Sequence, residues 1–277
     1  MAWNEVILAV ALAGPGQAPP GPEPAPKARA HGLPLEGEAA EVFLKTAEVV
    51  ERRPSSEGVT QSERIKLSDG TRTLRAVRKT VDIFHRGVTE FQDGTTQVDF
   101  RDSWKFEVAA YELDKLLGLG MVPPTVERTI NKTPGSVQMW VEGALTVPGL
   151  EERQLKDPDS RHWNRQVYNA RLLRQLTYDT DSTNINNDLI DPDFRLYAID
   201  FTRAFRNSSA LRSEDDLDRF SRSTLDALAR LDRATLKDRL GRWLNAAQIY
   251  GLLKRRDRIL ALAKKLVAAR GESVLYP

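Results

Sequence analysis

The chain contains no cysteine, which excludes disulfides, thiolate catalysis and cysteine-bound zinc together. Its histidines are His31, His85 and His162, too few for a histidine-rich metal centre. An excess of one charge is also missing: 41 basic residues against 39 acidic ones leave a net charge of +2. A dedicated nucleic-acid binder would show a basic stripe or an extreme isoelectric point, so no nucleic-acid partner is expected. The opening apolar run, Val6 to Ala13, is far shorter than the about 20 residues that cross a bilayer, so no integral membrane span is expected. There is no internal repeat. What remains is a composition of 40% hydrophobic and 29% charged residues over 277 positions, that of a globular chain with a sizeable core in one two-lobed domain or two small ones.

The first residues, MAWNEVILAVALAGPGQAPPGPEPAPKARAHG, carry two readings. One is an export signal cleaved near Ala13 or Ala18, which the absence of cysteine suits. The other is a tail on a cytoplasmic protein, favoured by Glu5 and by the lack of Lys or Arg ahead of the apolar run. Residues 14 to about 35 are rich in Pro, Ala and Gly and predict a flexible linker.

Ordered structure is expected from Glu36. EAAEVFLKTAEVVERR predicts a helical turn running into a strand. SERIKLSDGTRTLRAVRKTVDIF predicts two strands joined by a two-residue turn at Asp69-Gly70, where both residues tolerate positive φ. The period of two places Val77, Lys79, Val81 and Ile83 on one face. Lys79 then sits among apolar neighbours, and a desolvated ammonium needs a partner. DSWKFEVAAYELDKLLGLG predicts a helix capped by Asp102 or Ser103 and ended by Gly118 or Gly120, with Glu107 at the border of its apolar stripe. A hairpin follows, from Thr125 to Ile130 and from Ser136 to Glu142, leaving the sheet at Gly143.

RHWNRQVYNARLLRQLTY predicts a core helix of the larger half, and beyond Arg206 the pattern is helical. Between them lies YDTDSTNINNDLIDPDFRLYAIDFTRAFR. Asp181 and Asn186 stand five residues apart in a segment without helical or strand period. FRLYAID predicts a strand from Phe194 to Asp200, with DPD as the turn before it. One free carboxylate, one amide oxygen and a carboxylate at a strand end are what phosphoryl transfer asks of a protein. Asp179 and Asn184 share the same spacing. The pair Asp181 and Asn186 is preferred because its path to Asp200 is shorter, and the alternative register stays open.

Taken in order, RAVRK with Lys79, KFEVAAYELDKLLGL with Glu107, GSVQMWVEG, DSTNIN and LYAIDFTRAF resemble the atypical protein-kinase-like superfamily over roughly residues 40 to 206. The resemblance is nearer to its HipA-type, phosphoinositide-kinase and secretory-pathway kinase branches than to ordinary protein kinases. It implies an α+β, two-lobed fold, with a small antiparallel sheet and one helix over residues 36–143 and a mostly helical lobe over 144–277. It also implies ATP and Mg2+ (or Mn2+) as cofactors, with the nucleotide between the lobes. Lys79, braced by Glu107, would contact phosphates, and the backbone of Met139, Trp140 and Val141 would meet the adenine. Asn186 and Asp200 would hold metal, and Asp181 would position the hydroxyl of a protein or small-molecule acceptor.

The chain departs from the family pattern in three places. SSEGVTQSER has a single glycine, so phosphate contacts there fall to Gly58 and to the Thr60 or Ser62 hydroxyl. Ser182 and Thr183 follow Asp181, where related branches often carry Arg or His, and Thr202 replaces the glycine after Asp200-Phe201. Arg203 or Arg206 is expected either to supply the missing charge or to pair with Asp188, Asp191 or Asp193. The implied function is an ATP- and metal-dependent phosphotransferase; the alternatives are a catalytically weak nucleotide-binding scaffold and a nucleotidyl transferase.

Overall fold

The computed structural model describes residues 32–54, 62–91, 94 and 96–277. Gly58 and Thr60 lie outside the described residues, as do most of the proposed signal and linker. The linker expected to reach residue 35 ends sooner, because Leu33 and Leu35 are buried in the core and Gly32 bridges to Glu142. Apolar side chains at those positions gain more by burial than a proline-rich composition suggests.

Helix α1 (Gly37–Thr46) leads into strands β1 (Glu48–Pro54), β2 (Ser62–Ser68) and β3 (Thr73–Lys79). Strands β4 (Asp82–Glu90) and β5 (Thr96–Ser103) form a separate hairpin, and helix α2 (Trp104–Leu117) follows directly. Strands β6 (Thr125–Ile130) and β7 (Thr133–Met139) complete a five-stranded antiparallel sheet in the order β1-β2-β3-β7-β6.

The rest is mainly helical: α3 (Val147–Glu152), α4 (Ser160–Thr177), α5 (Arg222–Arg230), α6 (Arg233–Leu240) and the 25-residue α7 (Ala246–Arg270). Short strands β8 (Leu145–Thr146), β9 (Asp188–Ile190) and β10 (Leu196–Ala198) make a small sheet between the two parts, and β11 (Phe220–Ser221) pairs with β12 (Leu275–Tyr276). The α+β class, with an antiparallel sheet first and helices after it, is the one expected.

Two details of the sheet differ from expectation. Ser68 pairs with Thr73, so the turn at Asp69-Gly70 has four residues, closed by Asp69 Oδ1 accepting the Thr71 and Arg72 N–H groups at 2.9 Å. An aspartate that satisfies two backbone donors stabilises this longer turn. The face of Lys79 is also more polar than expected. Its cross-strand neighbours are Ser62 and Ser136, β3 stops at Lys79, and Ile83 belongs to the next strand with 43% of its surface exposed. The β4–β5 hairpin itself went unseen because its outward residues Phe84, Val88 and Val98 are apolar and exposed, which hides the period-two alternation.

Two hydrophobic clusters place the site. The first lies between α1 and one face of the sheet and includes Phe43, Leu44, Ile65, Ala76, Val137 and Met139. The second joins α2 to the helical part through Phe106, Leu113, Leu173, Phe201, Phe205 and Leu252. Helix α2 thus spans the junction, with Ser103 as its N-cap and Gly118, at φ 66°, as its stop. Gly135 sits where β7 crosses the end of β3: a Cβ there would lie 2.4 Å from the Lys79 carbonyl oxygen, so no other residue permits that crossing.

Candidate active site

Lys79, Glu107 and Asp200 come from a strand, a helix and a loop that are distant in sequence, and they meet at one point. The Lys79 ammonium donates to Glu107 Oε1 at 2.5 Å and to Asp200 Oδ1 at 2.7 Å. Glu107 is buried and Lys79 nearly so, with side-chain exposures of 1% and 11%, whereas Asp200 keeps 29%. Burial alone would depress the ammonium, yet the two carboxylates override it and raise its pKa above that of an ordinary lysine. Burial raises Glu107 against the pull of Lys79. At Asp200 burial acts upward too, but the attraction of Lys79 wins and lowers the pKa. Glu107 Oε2 is buried and has no hydrogen-bond partner among the described residues.

Backbone contacts hold Asp200 in place. It lies past the end of β10, at φ 63°, in the left-handed region that aspartate tolerates better than most residues. The Ile199 N–H donates to the Asn187 carbonyl at 2.9 Å, and the Ser103 N–H donates to the Thr202 carbonyl at 2.8 Å, tying the segment to both neighbours. Phe201 and Phe205 are wholly buried beside it. The expected strand from Phe194 to Asp200 is therefore only Leu196–Ala198. Phe194, at φ 60°, belongs to the preceding turn, and Asp200 turns out of the strand to reach Lys79.

No protein-family model matches the sequence, and no curated protein sequence matches it. Solved structures do resemble its fold. A hydra Fam20 solved with a sugar superposes with a TM-score of 0.65 at 14% identity, over 90% of this chain and 96% of that one. The Golgi casein kinase gives 0.59 at 15% identity, over 85% of this chain and 77% of the other. The same kinase with Mn/ADP bound gives 0.58 at 15% identity, with coverages of 84% and 77%. The fold is atypical protein-kinase-like.

In this kinase-like frame the loop after α4 carries the remaining acidic groups. Asp179 is fully buried: its Oδ2 accepts from Arg174 at 2.7 Å and its Oδ1 from the Asp181 N–H at 3.0 Å. Arg174 also donates to the Asn187 carbonyl at 3.0 Å and to Asp188 Oδ1 at 2.6 Å, so it pins the loop from beneath. Replacing it with methionine leaves the fully buried Asp179 carboxylate without its counter-charge and takes a partner from the partly exposed Asp188. Arg174→Met is expected to cost about 3–5 kcal/mol of stability, checked by the shift in urea midpoint.

Asp181 is only half-buried. Its Oδ2 accepts from Asn184 Nδ2 at 3.3 Å and from Asn187 Nδ2 at 3.0 Å, while its Oδ1 has no partner among the described residues. Asn186, the amide singled out by its spacing, is exposed on a 3-10 turn, and Asn187 is buried next to Asp181 in its stead. A five-residue count assumes an open loop, and the turn over Ile185–Asn187 shifts the inward position by one. Asp200 Oδ2 is likewise without a partner among the described residues. Small divalent ions take one or two carboxylates and fill the rest of the shell with water and phosphate oxygens, so the free oxygen of Asp200 suits a magnesium or manganese ion.

Met139 ends β7, and Trp140 and Val141 follow it as the chain passes between the two parts. The Met139 N–H donates to the Pro124 carbonyl and the Trp140 N–H to the Arg75 carbonyl, while the Val141 N–H is unpaired among the described residues. The Trp140 ring lies under the guanidiniums of Arg64 and Arg75, at 5.3 and 5.0 Å.

Among the described residues neither Arg203 nor Arg206 pairs with Asp188 or Asp191. Arg203 lies 3.5 Å from Asp102, and Arg206 donates to the Asp99 carbonyl and to Gln97 Oε1, both at 2.7 Å. Asp188 is taken by Arg174, and Asp191 accepts the Asp193 and Arg195 N–H groups of its own turn. The guanidinium that reaches the stretch after Asp181 is instead that of Arg212, which donates to the Asp179 carbonyl at 2.5 Å and to Ser182 Oγ at 3.0 Å. A guanidinium thus stands against the residue after Asp181, delivered from 30 positions away. Nothing in the sequence pattern marks it.

Proposed function

We propose that the chain is an ATP- and metal-dependent phosphotransferase that acts on a hydroxyl of a small-molecule or protein acceptor. The observation that carries this is the convergence of Lys79, Glu107 and Asp200. Lys79, fixed by the buried Glu107, presents its charge to nucleotide phosphates, and Asp200 offers its free oxygen to the metal. The free Val141 N–H is the donor available to the adenine edge. Met139 and Trp140 then serve through their carbonyls and side chains.

Asp200 would hold the metal, which would supply positive charge against the negative charge of the transferring group. Asp181 is the base that orients the acceptor hydroxyl; Asp179 has both oxygens engaged and is fully buried. An amide at the metal is better supplied by Asn187 than by Asn186. Gly58 and Thr60 remain part of the proposal as phosphate contacts. Arg212 takes the part of the basic residue that Ser182 and Thr183 do not provide. The kinase neighbours, one of them solved with Mn/ADP, support the nucleotide and metal assignments at 15% identity or less.

The test is incubation with ATP and Mg2+ or Mn2+, followed by mass spectrometry of the product. Gain of a phosphoryl group, lost in Asp181→Asn, is the expected result. Gain of a nucleotidyl group would assign nucleotidyl transfer, and nucleotide binding without turnover would leave a scaffold.

A further inference from the structure

A cavity of about 530 Å3 lies between the β4–β5 hairpin and the chain after Arg206, and Lys79 does not line it. Its wall carries three guanidiniums, those of Arg101, Arg206 and Arg212. Each is fixed by a neutral group. Arg206 holds the Asp99 carbonyl and Gln97, Arg212 holds the Asp179 carbonyl and Ser182, and Arg101 lies 4.0 Å from the centre of the Phe84 ring. Among the described residues none of the three forms an ion pair with a carboxylate. The carboxylate on the wall, Asp99, accepts the Gly87 N–H at 3.0 Å.

Three like charges around one space repel each other, and the repulsion is relieved by a bound anion. Burial, and after it the charges of Arg101 and Arg203, lower the pKa of Arg206 against the opposing pull of Tyr178 and Asp99. The wall is also built rather than incidental. Arg255 on α7 is fully buried and donates to the carbonyls of Leu176, Arg206 and Ser208. Gly251 on the same helix lets that loop approach, since a Cβ would meet the Asn207 and Ser208 carbonyls at 3.0 Å. The cavity opens beside the proposed base: Thr180 and Tyr178 line it, and Arg212 touches Ser182.

We propose that this cavity binds the anionic group of a hydroxyl-bearing small molecule, a phosphate ester or a carboxylate, and so forms the acceptor subsite. Arg101 and Arg206 hold the anion, and Arg212 bridges it to the loop of Asp181. The volume lies within the about 300–1,000 Å3 usual for small-ligand sites, and the hydroxyls of Tyr178 and Thr180 suit a polyol. The anion site stands on the arginines alone; its role as acceptor subsite rests on the phosphotransferase reading.

The test is calorimetric titration of the full chain, at about 0.15 M salt where surface charge is screened, with glucose 6-phosphate, gluconate and glucose. At least one anionic sugar is expected to bind about 10-fold or more tightly than glucose, and the stronger of the two identifies the anion. Arg101→Gln is expected to weaken that binding about 10-fold. Arg206→Gln gives a second, independent loss, and Asp200→Asn leaves it unchanged. Equal binding of all three sugars, or anion binding indifferent to both arginine variants, would overturn the proposal. Binding of an acidic peptide in preference to either anionic sugar would overturn it in favour of a protein acceptor. Anion binding with no transfer from ATP to the bound sugar would overturn the acceptor role and leave the anion site standing.

Discussion

Lys79→Met is expected to slow phosphotransfer severely and to destabilise the fold at neutral pH, two effects with a common electrostatic origin. Preorganised charge at a transferring phosphoryl group is worth about 3–4 kcal/mol per donor, so turnover should fall about 100- to 1,000-fold. The ammonium is also the partner of Glu107, whose side chain is 1% exposed. Without it, burial and the neighbouring charge of Asp200 act on Glu107 with nothing to oppose them, and both push its pKa further up. Removing one partner of a buried pair costs about 3–5 kcal/mol. A carboxyl whose folded pKa is raised binds more protons in the folded state, so stability falls as pH rises through the window between its unfolded and folded values. The variant should therefore lose less relative to the parent at pH 5 than at pH 7 in urea unfolding. A pH-independent deficit would place the damage elsewhere than at Glu107.

Asp200→Asn is expected to split activity from stability. Asp200 is 29% exposed, and its removal leaves Lys79 paired with Glu107 at 2.5 Å, so the fold should lose no more than about 1 kcal/mol, the scale of a partly exposed pair. Turnover should drop about 1,000-fold, because the amide that replaces the carboxylate neither holds the metal tightly nor carries its charge. Thermal unfolding and rate measured on one preparation check both parts. A large loss of stability alongside the loss of rate would mean that Asp200 is chiefly a structural partner of Lys79.

The order of the chemistry-bearing residues was legible in the sequence, and their exact partners were less so. Lys79 on a strand and Glu107 on the border of an amphipathic helix follow from periods of two and 3.6, which burial enforces. The five strands of the main sheet and helices α2, α4 and α7 follow from the same patterning. Local turns were harder: the four-residue closure at Asp69, the 3-10 turn that brings Asn187 inward, and the left-handed Asp200 each depend on a few hydrogen bonds between near neighbours. Arg174, Arg212 and Arg255 were illegible for another reason. An arginine on a helix or loop is ordinarily a solvated residue, and only the tertiary fold buries Arg174 and Arg255 against backbone carbonyls and lays the exposed Arg212 on that of Asp179. The β4–β5 hairpin was missed because its apolar side chains point outward, against the rule by which strands are recognised.

The most direct test of the meeting of Lys79, Glu107 and Asp200 around a triphosphate is calorimetric titration of a non-hydrolysable ATP analogue into the parent chain and Asp200→Asn, each with Mn2+ and with a chelator. Manganese should tighten binding at least 10-fold in the parent and make no difference in the variant. Equal tightening in both proteins, or no nucleotide binding by the parent under either condition, would contradict the assignment.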